Sequence, residues 1–392
     1  TRPRVRGVVH VHSRTSDGRG SLDEIAAAAA RAGLAFVVAT DHGDGTRIAE
    51  PPAYRSGVLT IDAVEISTAQ GHYIGVGLPR APYPLGGDAR DVVEDVSRLG
   101  GFGIAAHPDS PKAELAWSEL QRTPIDALEL INLDTTWRIH AFNRGPGSWV
   151  QLAKALLAYP LRPAESVTAL LTDGRTLRRE WAALTRTRRV VALAGADAHA
   201  KLALRDAEPG DNRFSIPIPS YEASFGVMSV NVTLRDPFTG NAEQDAAALL
   251  AGLRAGHAYV AVDGWASPAD FEFTAESGGQ TVTQGDETLA GLPMTLRVRS
   301  NAPEGFVTRL VRDGEPFHSA VDSEVTVAVD GAPAVYTVEV ARPDREHQPP
   351  WIMSNPIYVR SRTAGPVRED VPRVEGAPVL LLHDGRSTAG WT

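Results

Sequence analysis

The sequence predicts an α/β chain: a barrel of strands alternating with helices over roughly the first two thirds, then a smaller all-β, immunoglobulin-like sandwich. Three observations predict it. Apolar runs of strand length alternate with helix-like stretches as far as about residue 265. Four of the apolar runs end in clusters of histidine and aspartate, and barrels of parallel strands keep their chemistry at the carboxyl ends of the strands. From about Ser267 onward, apolar and polar residues alternate one for one.

The elements follow in chain order. Val8-Val9 opens into His10-Val11-His12 and Asp17. Ser21 is placed to cap a helix, with Glu24 three residues on at capping-box spacing, and the alanine-rich run Ile25 to Ala32 ends at Gly33. Strands are expected near Ala35 to Thr40, Val58 to Ser67, Tyr73 to Leu78, Gly103 to Ala106, Ala127 to Asn132 and Val190 to Ala194. Helices are expected over Ala89 to Leu99 and Leu177 to Leu184, and the unit Gln244 to Ala255 followed by Tyr259 to Val262 is expected to close the barrel. Between Asp134 and Arg175 lies an insertion-like stretch bearing Trp137, Arg138, His140, Asn143, Arg144 and Trp149, read either as a roof over the strand ends or as a surface helix. Beyond Ser267, Phe271 to Thr274, Leu296 to Arg299, Val325 to Val329 and Tyr336 to Val340 read as half-buried antiparallel strands. The divisions are 1–265, 266–361 and a Pro- and Gly-rich tail, 362–392, that reads as a linker and the first strand of a further β-domain.

The clusters are Thr40-Asp41-His42, Ala106-His107-Pro108 and Asp197-Ala198-His199, besides His10, His12 and Asp17. Side chains at i and i+2 of a strand share a face, so His10 with His12, and Asp197 with His199, can present two donors to one ion. Four such clusters, with Glu65 after the apolar run Val58 to Val64, read as one multinuclear metal site. There is no cysteine, so the ligands are nitrogen and oxygen only, which suits zinc, manganese or iron. His72 is read as a substrate contact or as the cap of a hairpin.

The pattern His10-x-His12 with Ser16-Asp17-Gly18, then Thr40-Asp41-His42, Glu65, Ala106-His107-Pro108 and Asp197-x-His199, resembles the PHP (polymerase and histidinol phosphatase) superfamily of metal-dependent hydrolases. The resemblance implies a distorted seven-stranded barrel over roughly residues 1–265. It also implies one ion held by His10, His12 and Asp197, Glu65 bridging to a second that His107 completes, and a third taken by Asp17, His42 and His199. Trinuclear members supply a further His or Cys after the strand Ala127 to Asn132, where this chain offers Asn132 itself or His140, so two ions or three are expected. A softer resemblance, in Ser354-Asn355-Pro356-Ile357-Tyr358-Val359 and the domain order, is to the branch with a C-terminal β-domain that includes carbaryl hydrolase.

With 392 residues, 43% of them hydrophobic, the chain is long enough for more than one core. A net charge of −9 argues against nucleic acid, whose phosphates call for a basic stripe, and for a small-molecule substrate. No apolar run is long enough to span a membrane. The start at Thr1 is read as following a leader absent from this chain, hence an extracytoplasmic (periplasmic or secreted) setting; the sequence sets no oligomeric state.

The expected chemistry is hydrolysis by a metal-activated hydroxide, with phosphoesters favoured, aryl carbamates, esters or amides as the alternative, and a catalytically silent scaffold with a binding β-domain as a third reading. Asp197, Asp41, His72 and His140 are the candidate catalytic residues. Asp197 is both ligand and proton acceptor, and Asp41, beside His42, is placed as a supporting residue that orients the site. Arg14, Arg19, Lys112, Arg138, Arg144, Lys201 and Arg213 are candidate phosphate-holding cations. Trp137, Trp149 and Tyr54 are candidate walls of an aryl pocket.

Overall fold

A computed structural model describes residues 2–143, 145–203, 215–345 and 347–361; Arg144, Arg213 and the tail 362–392 lie outside the described residues. The barrel strands are β1 (Arg4–Val11), β2 (Phe36–Ala39), β3 (Ala53–Arg55), β4 (Val58–Asp62), β5 (Val64–Thr68), β6 (Gly71–Val76), β7 (Phe102–Ala105), β8 (Ala127–Asn132) and β9 (Val191–Ala198). The short β10 (Leu202–Ala203) and β11 (Ser215–Ile216) pair with each other, and β12 (Ser229–Thr233) and β13 (Ala258–Ala261) follow. The helices are α1 (Leu22–Arg31), α2 (Ala89–Arg98), α3 (Leu133–Phe142), α4 (Pro146–Ala158), α5 (Pro163–Thr168), α6 (Arg175–Thr187), α7 (Tyr221–Phe225) and α8 (Ala242–Arg254).

The pairings form a closed ring. β1 lies parallel to β2, β2 to β4, and β4 runs on into β5; β7, β8, β9 and again β1 are parallel neighbours. The ring is not parallel throughout, because β6 runs antiparallel to both β5 and β7. The cause is local: β5 and β6 are joined by two residues, Ala69 and Gln70, and so short a link admits only a hairpin. α1 starts as its sequence dictates, with Ser21 Oγ accepting from Glu24 N–H at 3.3 Å and Glu24 Oε2 accepting from Ser21 N–H at 2.8 Å. It buries Ile25, Ala26, Ala28 and Ala29 on the ring. Inside, Val9, Val38, Leu59, Ile74, Ile104, Leu128 and Leu193 make one continuous core.

The unit expected to close the barrel does not. β12 pairs antiparallel with the first half of β1, β13 with β12, and β13 then with a C-terminal strand, so the sheet continues outward. β1 already has β2 and β9 beside its second half, and only Arg4 to Gly7 is left to pair. The C-terminal region is all-β, comprising β14 (Phe271–Ser277), β15 (Gln280–Thr283), β16 (Glu287–Leu289), β17 (Met294–Ser300), β18 (Val307–Arg312), β19 (Glu315–Ala320), β20 (Glu324–Val329), β21 (Ala334–Ala341), β22 (Ile352–Ser354) and β23 (Ile357–Arg360). One sheet has the order β15-β14-β17-β20, and its Phe271, Phe273, Leu296 and Val298 share a core with Tyr336, Val338, Val340 and Ile357 of the other layer. The segment Ser354-Asn355-Pro356 fastens this region to the barrel. Buried Asn355 accepts from Ala192 N–H at 2.8 Å and donates to the carbonyls of Ala192 at 3.0 Å and Ala258 at 2.8 Å.

Candidate metal centre

Strand ends deliver the cluster, and they do so with distorted backbone. His10, His107 and Asp197 have φ of 68°, 32° and 43°, a region that side chains with a Cβ seldom enter, at a cost of about 1–3 kcal/mol each. His10 sits where β1 shifts register against both β2 and β9, between Val9 and Val11. His10 and His12 thus meet through a bulge and not through the regular alternation the sequence suggests. Their Nε2 atoms lie 3.1 Å apart, and both residues are buried.

Glu65 is the hub. Its Oε2 lies 3.2 Å from His10 Nε2, 3.1 Å from His12 Nε2 and 3.3 Å from His42 Nδ1. Its Oε1 lies 2.8 Å from His72 Nδ1 and 3.0 Å from His107 Nε2. Asp197 Oδ1 approaches His10 Nε2 at 3.4 Å and His12 Nε2 at 3.5 Å, while Asp17 Oδ2 is 3.1 Å from His199 Nε2. Four groups result whose donor atoms lie within 4.8 Å of one another: His10, His12, Asp197; His10, Glu65, His107; His42, Glu65, His72; and His12, Asp17, His42, His199. His72, placed by the sequence between two roles, stands in the third.

The residues fit a cation because several histidines have only one nitrogen free to face the cluster. His107 Nδ1–H donates to the Leu115 carbonyl at 3.0 Å and His199 Nδ1–H to the Asp197 carbonyl at 3.0 Å, so each neutral ring points its Nε2 lone pair at a carboxylate. Lone pairs facing carboxylates 3.0–3.1 Å away require a positive charge between them, a proton or a metal ion. Without a metal, protons take that place. Burial works against a charged His12, but hydrogen bonds to Asp197 and Glu65 push it up to about 10. For His10, burial is likewise overcome by Asp197, Glu129 and Glu65, which hold it well above 6.5. Burial would raise Glu65 and Asp197, and the surrounding histidines, His10 foremost, hold both far below the usual carboxylate range. His42, its side chain 35% exposed, is lowered, by burial first and then by the charge of His12.

Two supporting carboxylates complete the site. Asp41 accepts from Ser13 N–H at 2.7 Å, Ser13 Oγ at 2.6 Å and Ser16 Oγ at 2.6 Å, and so fixes the turn that carries Asp17. The second, Glu129, escaped the sequence reading. Buried in β8, it accepts from His10 Nδ1–H at 2.6 Å, His107 N–H at 2.7 Å and Asn132 Nδ2–H at 2.8 Å. Gly195 makes room for it, since a Cβ there would lie 2.0 Å from Glu129 Oε1. The available signal was a glutamate in the otherwise uncharged strand Ala127-Leu128-Glu129-Leu130-Ile131-Asn132.

Other expectations find different places. His140 joins none of the four groups; α3 carries it eight residues past Asn132, about 12 Å along the axis, where Nε2–H donates to the Leu170 carbonyl at 2.9 Å. Asn132 instead donates to Asp197 Oδ2 at 3.1 Å. Arg138 is the cation of α3 whose charge is favoured by the cluster: burial opposes it, while Asp134, then Asp197 and Asp17, support it. Its guanidinium lies 4.9 Å from the Trp137 ring centroid, and Trp137 Nε1 donates to Asp134 at 2.7 Å. Trp149 is 56% exposed on α4, a helix with no buried residue. Tyr54 donates to Asp245 of α8 at 2.6 Å, Arg14 and Arg19 are exposed, and Lys112 and Lys201 are half-buried.

No family model matches the chain, and no curated protein does. Among solved structures, it is similar to a two-domain protein of Bacteroides vulgatus named as containing a predicted PHP-like metal-dependent phosphoesterase, at 13% identity and a TM-score of 0.39 over 91% of this chain and 95% of that one. An amidohydrolase from Chromobacterium violaceum matches at 16% identity and TM-score 0.29, over 55% of this chain and 92% of that one. A protein of Bifidobacterium adolescentis named as a metal-dependent phosphoesterase matches at 13% identity and TM-score 0.30, over 49% and 87%. Likenesses this distant leave the assignment to the site itself. Among the described residues no helix is long and apolar enough to cross a membrane.

Proposed function

We propose that the chain is a multinuclear metal-dependent hydrolase of the PHP type, acting on a phosphoester of a small molecule. The observation that carries this is the convergence of five histidines on the two oxygens of Glu65, each at 2.8–3.3 Å. A carboxylate so placed is suited to join two ions. His10, His12 and Asp197 would hold one ion, Glu65 and His107 a second, and Asp17, His42 and His199 a third; zinc, manganese and iron all suit this donor set. Such ions, when bound, lower the pKa of a coordinated water and polarise the scissile group.

The chain's own residues do the rest. Glu129 holds His10 in the Nδ1–H tautomer, leaving Nε2 as the donor atom. Asn132 keeps Asp197 Oδ2 hydrogen-bonded while Oδ1 faces His10 and His12, so Asp197 is oriented to accept a proton at the cluster. Arg138, ion-paired with Asp134 and with its charge further favoured by Asp197 and Asp17, is the cation of α3 that would meet an anionic substrate.

Elemental analysis of the purified chain, with a panel of chromogenic phosphomonoesters, phosphodiesters, aryl esters and carbamates, tests the reading. We expect about two or more ions per chain and phosphoester hydrolysis that chelation abolishes. Less than one ion, with activity unchanged in chelator, would refute the metal-dependent mechanism. Turnover of carbamates or esters alone would reassign the substrate.

A further inference from the structure

We propose that the cleft between α6 and the C-terminal strands β18 and β21 is a second ligand site, one that takes a small organic anion bearing at least two negative groups. The cleft encloses about 410 Å³, a volume within the range of small-molecule sites. Its lining includes Arg175, Arg178, Arg179, Arg309, Arg342 and Arg345, against three carboxylates, Asp173, Glu315 and Glu339. With Asp344, which pairs with Arg342 and Arg345, counted as a fourth carboxylate, two positive charges are still in excess among the described residues here, in a chain whose net charge is −9. Low-dielectric walls focus such a field on whatever enters.

Internal pairing uses only part of that charge. Asp173 binds Arg175 and, at 2.6 Å, Arg178, whose Nε is 3.4 Å from Glu339 of β21. Asp344 takes Arg342 at 2.8 Å and, more loosely, Arg345 at 3.5 Å. Arg179 on α6 and Arg309 on β18 have no ion-pair or hydrogen-bond partner for their guanidinium groups among the described residues, although they line the same cleft from its two walls. Guanidinium forks match carboxylate, phosphate and sulfate oxygens, and two of them set apart call for two anionic groups. Trp181, Val311, Val335 and Pro350 supply apolar surface in the same lining, so the body between the charges is apolar. A seam of salt bridges joining barrel to β-region would need Arg178 and Glu339; Arg309 stands opposite Glu339 in the β18–β21 register without forming an ion pair with it, and Arg179 forms none among the described residues.

No residue of the metal cluster lines this cleft, so the inference stands apart from the hydrolase reading. Calorimetric titration of the full chain at fixed ionic strength, with naphthalene disulfonate and isophthalate as dianions and naphthalene sulfonate and benzoate as monoanions, provides the test. We expect saturable binding of a dianion, retained after chelation. Arg179→Ala and Arg309→Ala each weaken it about tenfold, the worth of one charge-assisted pair of hydrogen bonds. Arg297→Ala, which removes a cation paired with Glu276 on the outer sheet, leaves it unchanged. A preference between the two dianions distinguishes tetrahedral oxyanions from carboxylates as the natural ligand. The proposal is overturned if neither dianion saturates, if monoanions bind equally well, or if both arginine variants keep the parental affinity.

Discussion

Three N–H groups converge on Glu129, from His10, His107 and Asn132, and only a carboxylate can accept on both of its oxygens. Glu129→Gln keeps the volume but turns an NH₂ toward one of those donors. We expect metal affinity to fall about 10- to 100-fold, as for other residues that orient a ligand, and stability to fall by about 1–3 kcal/mol for the unsatisfied group. Competition with a chromophoric chelator reads the first and denaturant melts the second; parental affinity in a folded variant would show that Glu129 does not tune the site. At this scale the metal-liking residues were legible because their chemistry is rare and they sit together at the ends of apolar runs. Glu129 was not, because a lone glutamate in a strand looks like a solvent-facing residue until its neighbours are known.

The junction of β8 and α3 ties helix initiation to the site through Asn132. Its Oδ1 caps α3 by accepting from Thr135 N–H at 2.8 Å, while its Nδ2 donates to Glu129 and Asp197. Asn132→Ala loses both functions, the cap alone being worth about 1 kcal/mol. Asn132→Ser retains a capping oxygen without the amide donor. Thermal melts should therefore show the Ser variant recovering much of the stability lost in Ala, while kcat/KM stays low in both. Equal activity in Ser and parent would show that the amide is only a cap. Helix α1 and its capping box were readable from Ser21 and Glu24 because capping is local. The reversal of β6 is local too, set by the two-residue link after β5, whereas the outward run of β12, β13 and β22 depends on which edges remain unpaired after the ring closes, and no local pattern encodes that.

In the whole molecule, the cluster stores charge that either protons or metal must balance. In metal-free protein, His10 and His12 have pKa values raised above 6.5, His12 to about 10. A raised folded-state value contributes stability that is complete below the unfolded value of 6.5 and is lost as pH climbs through about 10. Metal binding runs the other way, since it displaces those protons and strengthens as pH rises. The gap in Tm between metal-loaded and chelated protein should therefore widen from pH 6.5 to about 10; a constant or narrowing gap in paired calorimetric scans would contradict the assignment of the raised histidines. At the acid end, depressed Glu65, Asp17 and Asp197 contribute stability present above their ordinary values and lost as pH falls through the lowered ones. By itself the sequence determined the alternation of strand and helix, the change to an all-β region near Ser267 and the identities of the metal-liking side chains, because periodicity, caps and side-chain chemistry are properties of short stretches. Only the tertiary structure decided that Glu65 is the hub, that His10, His107 and Asp197 reach the cluster through left-handed backbone, that Glu129 stands behind His10, and that His140 turns away to Leu170. Those facts depend on distances between residues far apart in the chain, such as the 119 positions between His10 and Glu129, which are fixed only when the ring closes and its interior packs.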